Sequence, residues 1–183
     1  MRKQRLLNFL LGLLVVLLST ASLARVYYSK QEAMELAFGK EAEVALLPLF
    51  LTEAQRKAAE RLARVKIDSS LFTFYVGKKD GKVMGYAAIE THTVRTKPET
   101  LLIVLKPGGK LRRIEVLAFH EPPEYQPPAR WFVQLFDKPI EDLRLGGGVE
   151  GITGATLSAR AALDSVRKVL AIYQVAVAGQ DKK

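Results

Sequence analysis

No cysteine occurs among the 183 residues, and histidine appears only at His92 and His120. Without thiols the chain has no disulfide, thiolate metal site, iron–sulfur cluster, thiol nucleophile or lipid-modified cysteine. Two histidines are few for a histidine-built metal centre or a catalytic dyad. A site made from His92, His120 and Glu121 is the one arrangement left to weigh, and no metal is expected. Long basic runs are missing too. The formal charge is +9, from 28 Lys+Arg against 19 Asp+Glu, but the cations fall in pairs such as Lys78-Lys79 and Arg112-Arg113. No aromatic-interleaved basic stripe appears, so nucleic acid is not an expected partner. A solvated basic surface accounts for the charges, with attraction to anionic lipid or an acidic redox protein as the functional alternative.

The longest apolar stretch, Leu6 to Leu18, is broken by Asn8 and Gly12. It falls short of the ~20 residues that span a bilayer. Arg2, Lys3 and Arg5 precede it and Ser19-Thr20-Ala21-Ser22-Leu23-Ala24 follows. This order of charge, apolar core and small residues is that of a secretory signal, with Ser22 and Ala24 placed for cleavage before Arg25. Residues 1–24 are read as a signal peptide, or as an uncleaved signal anchor. On either reading residues 25–183 form one domain outside the cytoplasm, in the periplasm or at the outer face of the inner membrane.

Within that domain, Ser29-Lys30-Gln31-Glu32 has capping-box spacing and predicts a helix over about 30–38. Glu43–Leu51 is apolar but holds Pro48, which suits an edge strand. Thr52-Glu53 opens a second helix to about Arg64, with Ala58, Ala59, Leu62 and Val65 expected on its buried face. A period of two then predicts strands at Leu71–Val76, Lys82–Val94, Thr100–Leu105 and Leu111–Phe119. Gly77–Gly81 and Pro107-Gly108-Gly109 read as turns. The proline-rich Glu121–Pro128 cannot continue the ladder, and Ala129–Phe136 reads as a short helix. A final helix over about Leu157–Val177 has an apolar stripe from Ala162 to Val177, with Arg160, Asp164, Arg167, Lys168 and Gln174 expected to face water. The last residues, Gly179–Lys183, are expected to fray. The expected fold class is α+β: an antiparallel sheet of four to six strands packed with helices.

Glu150-Gly151-Ile152-Thr153-Gly154-Ala155-Thr156-Leu157-Ser158 joins a glycine-rich loop to the start of that helix. Unpaired N–H groups and the helix dipole make such a place receptive to a phosphate. Gly154 and Ala155 let a bulky group approach the backbone, and Thr153 and Thr156 supply hydroxyls. Threonine and glycine before a helix equally suit ordinary N-capping. No Walker-type lysine is present, so a nucleoside triphosphate is not expected.

Thr153-Gly154-Ala155-Thr156 with Ser158 resembles the (Ser/Thr)-Gly-Ala-Thr-x-(Ser/Thr) flavinylation motif of the FMN-binding domain family. That family includes the exported flavoprotein subunits of the Rnf and sodium-translocating NADH:quinone oxidoreductase complexes. Tyr75-Val76-Gly77, Gly85-Tyr86, Thr91–Thr96, Pro98-Glu99-Thr100, Phe119–Tyr125 and Arg130-Trp131 extend the resemblance over about Tyr28 to Tyr173. Glu150 stands where the motif usually has aspartate.

The resemblance implies FMN joined through its phosphate to Thr156 by an FAD:protein FMN transferase, with Thr153, Gly154, Ala155, Leu157 and Ser158 around it. It draws His92 and Arg95 toward the flavin as donors. From their own places near the loop-rich face, Phe119, Tyr125 and Trp131 are candidate aromatic cover, with core packing as the alternative for Phe119 and Trp131. Glu121 is a carboxylate that a proline turn could aim inward, with a satisfied surface turn as the alternative. The function implied is electron transfer with a membrane or periplasmic redox partner, as a carrier rather than a stand-alone enzyme. The rivals are a non-catalytic FMN-binding or sensory module and an extracytoplasmic flavin reductase.

Overall fold

The computed structural model describes residues 25–178. The expected signal over 1–24 and the expected frayed end over 179–183 lie outside the described residues. Elements run β1 (Arg25–Val26), α1 (Lys30–Phe38), β2 (Glu43–Phe50), α2 (Glu53–Ala63), β3 (Leu71–Lys79), β4 (Lys82–Thr93), β5 (Pro98–Leu105), β6 (Leu111–Phe119), α3 (Ala129–Val133) and α4 (Thr156–Ala176). Two 3₁₀ turns, Pro123–Tyr125 and Ile140–Asp142, interrupt the later connections. Six strands form one antiparallel sheet in the order β1-β6-β5-β4-β3-β2. The fold is α+β, with the long C-terminal helix beginning at Thr156.

Local chemistry explains the starts of the first two helices. Ser29 and Glu32 close a capping box on α1, and Thr52 and Gln55 close one on α2. Each satisfies two backbone donors that the helix itself cannot. The β3–β4 turn is tighter than the expected Gly77–Gly81. Strand pairing continues to Lys79↔Lys82, leaving Asp80 and Gly81 as a two-residue loop with φ of 50° and 74°. That left-handed pair matches the right-handed twist of the strands it joins, and glycine takes it without strain. Pro48 sits in β2, which pairs only with β3. A prolyl nitrogen donates nothing, so it is tolerated at this edge.

Hydrophobic burial divides the molecule into three layers. On one face of the sheet Phe74, Tyr86, Leu101, Ile103, Leu105 and Ile114 pack with the α4 stripe of Ala162, Leu163, Val166, Val169, Leu170 and Tyr173. Phe74, Tyr86 and Tyr173 meet edge to face, with centroids 5.1–6.2 Å apart. Such pairs add about 0.5–1.5 kcal/mol each beyond area burial. On the other face α1 places Ala33, Met34, Ala37 and Phe38 over Ala87, Leu102, Val104 and Leu117.

Three expectations need correction. In α2 the buried positions are Ala59 and Ala63, while Ala58 and Val65 are half-buried and Leu62 is exposed, because α2 leans on α4 through its small residues. The helix after the proline segment spans only Ala129–Val133, and the chain turns out of it through Asp137 at φ 58°. Arg167 and Lys168 do not simply face water. Lys168 pairs with the buried Glu90 of β4, and Arg167 donates to Asp164 and to the Leu143 carbonyl. The long side chains reach back across the packed face, burying their stems while the charges find partners.

Candidate functional site

Helix α4 starts without a cap. Ala155 occupies the N-cap position and no side chain accepts from the first turn. The first helical bond runs from the Ala159 N–H to the Ala155 carbonyl, 3.0 Å. The N–H groups of Thr156, Leu157 and Ser158 therefore have no intrahelical acceptor. Thr153 and Thr156 could each have capped this end, and neither does. Thr156 instead lies in the first turn with an exposed side chain, its hydroxyl donating back to the Ile152 carbonyl at 2.9 Å. Ser158 is buried at the same end, and its hydroxyl has no hydrogen-bond partner among the described residues. Gly154 holds φ at 86° with open space where a Cβ would stand.

A small cleft of about 140 Å³ opens here, lined by Gly154, Ala155, Thr156, Leu157 and Ser158 on one side and by Arg95 and Tyr125 on the other. The Arg95 guanidinium lies 4.9 Å from the centroid of the Tyr125 ring. Glu121 sets this pair in place. Its Oε1 accepts from the backbone N–H groups of Arg95, Thr96 and Lys97 at 3.2, 2.7 and 2.9 Å, and the Thr96 hydroxyl donates to it at 3.3 Å. These donors, the Thr96 N–H foremost, hold the carboxyl below its usual range against the opposing effect of burial. Glu121 thus positions the Arg95 turn and does not line the cleft. From it the chain passes through Pro122 and Pro123 into the 3₁₀ turn that carries Tyr125.

Trp131 stands elsewhere. Its indole Nε1 donates to the Glu150 carbonyl at 2.8 Å, and the Gln134 Oε1 accepts from the Glu150 N–H at 2.8 Å. Helix α3 thereby pins the loop that leads into α4. A separate cleft of about 680 Å³ runs past Trp131, Arg130, Lys138, Glu150 and Thr153. The motif consequently contributes Thr153 to one cleft and Gly154–Ser158 to another.

His92 is occupied on both ring nitrogens, by Glu99 Oε2 at 2.9 Å and by Ser165 Oγ at 2.8 Å. Glu99 is fully buried and its Oε1 has no partner among the described residues. His92 therefore ties β4 to β5 and α4 and does not border the Arg95–Tyr125 cleft. Ser165, Gln134 and Lys138 escape a sequence reading, and Glu99 figures there only within Pro98-Glu99-Thr100 and not as a site residue. Nearby, burial raises the carboxyl of Glu90 despite Lys168, and burial likewise raises that of Asp164 despite Arg167. Among the described residues no group of three or more His, Asp or Glu could hold a metal ion, and no helix is long and apolar enough to cross a membrane.

Residues 95–171 match the family model described as the FMN-binding domain. The match begins at the Arg95 turn and takes in the loop, the motif and most of α4. No curated protein matches the chain. FMN is the cofactor that the match over these residues indicates. The residues present fit that group. The three first-turn amides without an intrahelical acceptor and the positive end of a helix suit its phosphate, Arg95 adds a cation, and Tyr125 offers an aromatic face.

Proposed function

We propose that Thr156 carries FMN through a phosphodiester, and that the protein transfers electrons outside the cytoplasm with a membrane or periplasmic redox partner. One observation carries the reading: Thr156 presents a hydroxyl at an uncapped helix start, beside amides that have no acceptor among the described residues. Its hydrogen-bond partner is a peptide carbonyl, too weak a base to make threonine a nucleophile. Activation therefore falls to an FAD:protein FMN transferase. The Thr156 oxygen bonds to the flavin-side phosphorus of FAD, the phosphoanhydride breaks, AMP leaves, and the hydroxyl proton passes to the transferase.

The cofactor supplies the redox chemistry; this chain supplies attachment, orientation and charge. Amides of the first turn of α4 hold the single negative charge of the diester. Arg95 presents a cation to the same cleft, held by the four hydrogen bonds that its turn makes to Glu121. Trp131 and Gln134 fix the loop on the other side. Covalent attachment keeps the cofactor on a protein that works where free flavin is dilute.

The test is intact mass after co-expression with such a transferase. The wild type gains the mass of one FMN less one water and fluoresces in a denaturing gel. Thr156→Ala gains nothing and stays dark. A wild-type chain of unmodified mass beside an active transferase refutes attachment, and equal labelling of Thr156→Ala refutes the assigned residue.

A further inference from the structure

We infer a second binding site, for an extended acidic segment of a partner protein, along the open edge of β6. The pairing of β1 with β6 is limited to Arg25↔Phe119 and Val26↔Ala118. Tyr27 and Tyr28 then both donate to the Leu117 carbonyl, and the chain leaves for α1. No described segment pairs with the outer side of Leu111–Val116. Six residues of strand are about 20 Å of unpaired backbone.

This edge is not bare surface. Helix α3 stands beside it, and the two walls enclose a groove of about 540 Å³ that continues into a smaller one of about 210 Å³. Ile114, Phe132 and Phe136 make the apolar lining, and Val133 stands at the groove, 59% exposed. The Tyr27 hydroxyl, donating to Gln126 Oε1 at 3.0 Å, links the two sides of the smaller groove. A strand edge facing a helix across an apolar groove is the geometry in which a peptide adds as a further strand. Main-chain bonds then give affinity, and alternate side chains enter the groove.

Charge selects the occupant. Arg113 pairs with Glu115 at 2.8 Å and also donates to the Leu36 carbonyl. Arg112 donates to the Ala37 carbonyl, and Arg130 is exposed at the rim. Among the described residues neither Arg112 nor Arg130 has a carboxylate against it. The groove is therefore net positive. A second copy of this chain would bring the same arginines together, whereas an acidic extended segment neutralises them. The other open edge, β2, lacks a donor at Pro48 and is the poorer template. Arg130 also lines the cleft beside Thr153, so a segment docked here lies next to the FMN-binding motif. The site does not depend on whether Thr156 is modified.

The probe is an end-blocked, fluorescein-labelled heptapeptide, Glu-Val-Glu-Val-Glu-Val-Glu, titrated with the unmodified chain and followed by anisotropy. Saturable binding is expected at low ionic strength, about tenfold or more tighter than the lysine counterpart, in keeping with the cost of like charges at an interface. Val133→Glu and Arg130→Glu, both at exposed positions, should each weaken it about tenfold. Amide exchange should slow within Leu111–Val116 and not within Glu43–Phe50. No binding, equal binding of the lysine peptide, indifference to both substitutions, or protection at β2 instead would each overturn the inference.

Discussion

Replacing Glu121 by glutamine tests how the Arg95 turn is held. One carboxylate oxygen accepts from three successive backbone N–H groups at 2.7–3.2 Å. Glutamine keeps an oxygen of similar reach but loses the charge. Hydrogen bonds to a charged group contribute about 1.5–3 kcal/mol net, and neutral ones about 0.5–1.5 kcal/mol. Because the donors share one oxygen, the difference is taken once, giving a loss of about 1–2 kcal/mol. Its pH dependence follows from the lowered carboxyl. A depressed folded-state pKa means that the unfolded chain binds the proton more readily. The stabilisation is thus complete above the unfolded value of about 4.3 and disappears as pH falls through the lower folded value. Urea unfolding of wild type and Glu121→Gln should differ by that amount near neutrality and converge in acid. A difference that is absent near neutrality, or that persists unchanged in acid, would refute the charge-held turn.

Removing His92 as alanine should destabilise the fold by about 1–3 kcal/mol, since it takes the hydrogen-bond partner from the buried Glu99 Oε2. Thermal melts measure this, and Glu99→Gln on the same background should recover part of the loss. Trp131→Phe keeps the ring but deletes the bond to Glu150, at about 1 kcal/mol. Its signature is faster amide exchange in the 150–153 loop with the sheet unaffected. Arg95→Ala should lower the midpoint potential of the flavin-loaded protein in a redox titration, because a cation beside the cofactor favours the reduced, more negative form. An unchanged potential would remove Arg95 from the cofactor's surroundings.

Much of the fold was legible because periodicity and capping are local. Ser29/Glu32 and the apolar runs of β4 and β5 are written in neighbouring residues. The structure builds α1 as read, ends β4 at Thr93 and carries β5 back to Pro98, which reads as a break in the sequence. Pro48 marked an edge because proline subtracts a donor wherever it sits. β1 was not legible, for two residues show no period, and its pairing depends on Phe119 more than ninety positions away. The same limit applies at the site. Thr156 and its neighbours form one contiguous motif, visible as a string. Arg95, Glu121 and Tyr125 were readable as candidates, but their division of labour was not. That Glu121 binds backbone while Arg95 and Tyr125 face the cleft follows from a turn closing across 26 residues. His92 misled for a related reason. A histidine at a strand end looks available until α4 brings Ser165 against its second nitrogen.

The uncapped start of α4 is intelligible once the two ends of the balance are compared. A missing side-chain cap leaves a helix about 0.5–2 kcal/mol short of what Ser, Thr, Asn or Asp would give. Along the same helix Leu163, Val166, Val169, Leu170 and Ile172 are all buried. Burial of such side chains is worth about 1.5–3 kcal/mol each. Packing therefore fixes α4 with a wide margin, and its first turn need not be satisfied from within. A helix held this firmly can present unpartnered amides at a defined place without fraying, which is what an anion site requires of its scaffold. Had Thr153 capped α4, the amides nearest Thr156 would be taken and the end would be inert. The rigidity of the sheet-bound stripe and the openness of the motif are two parts of one arrangement.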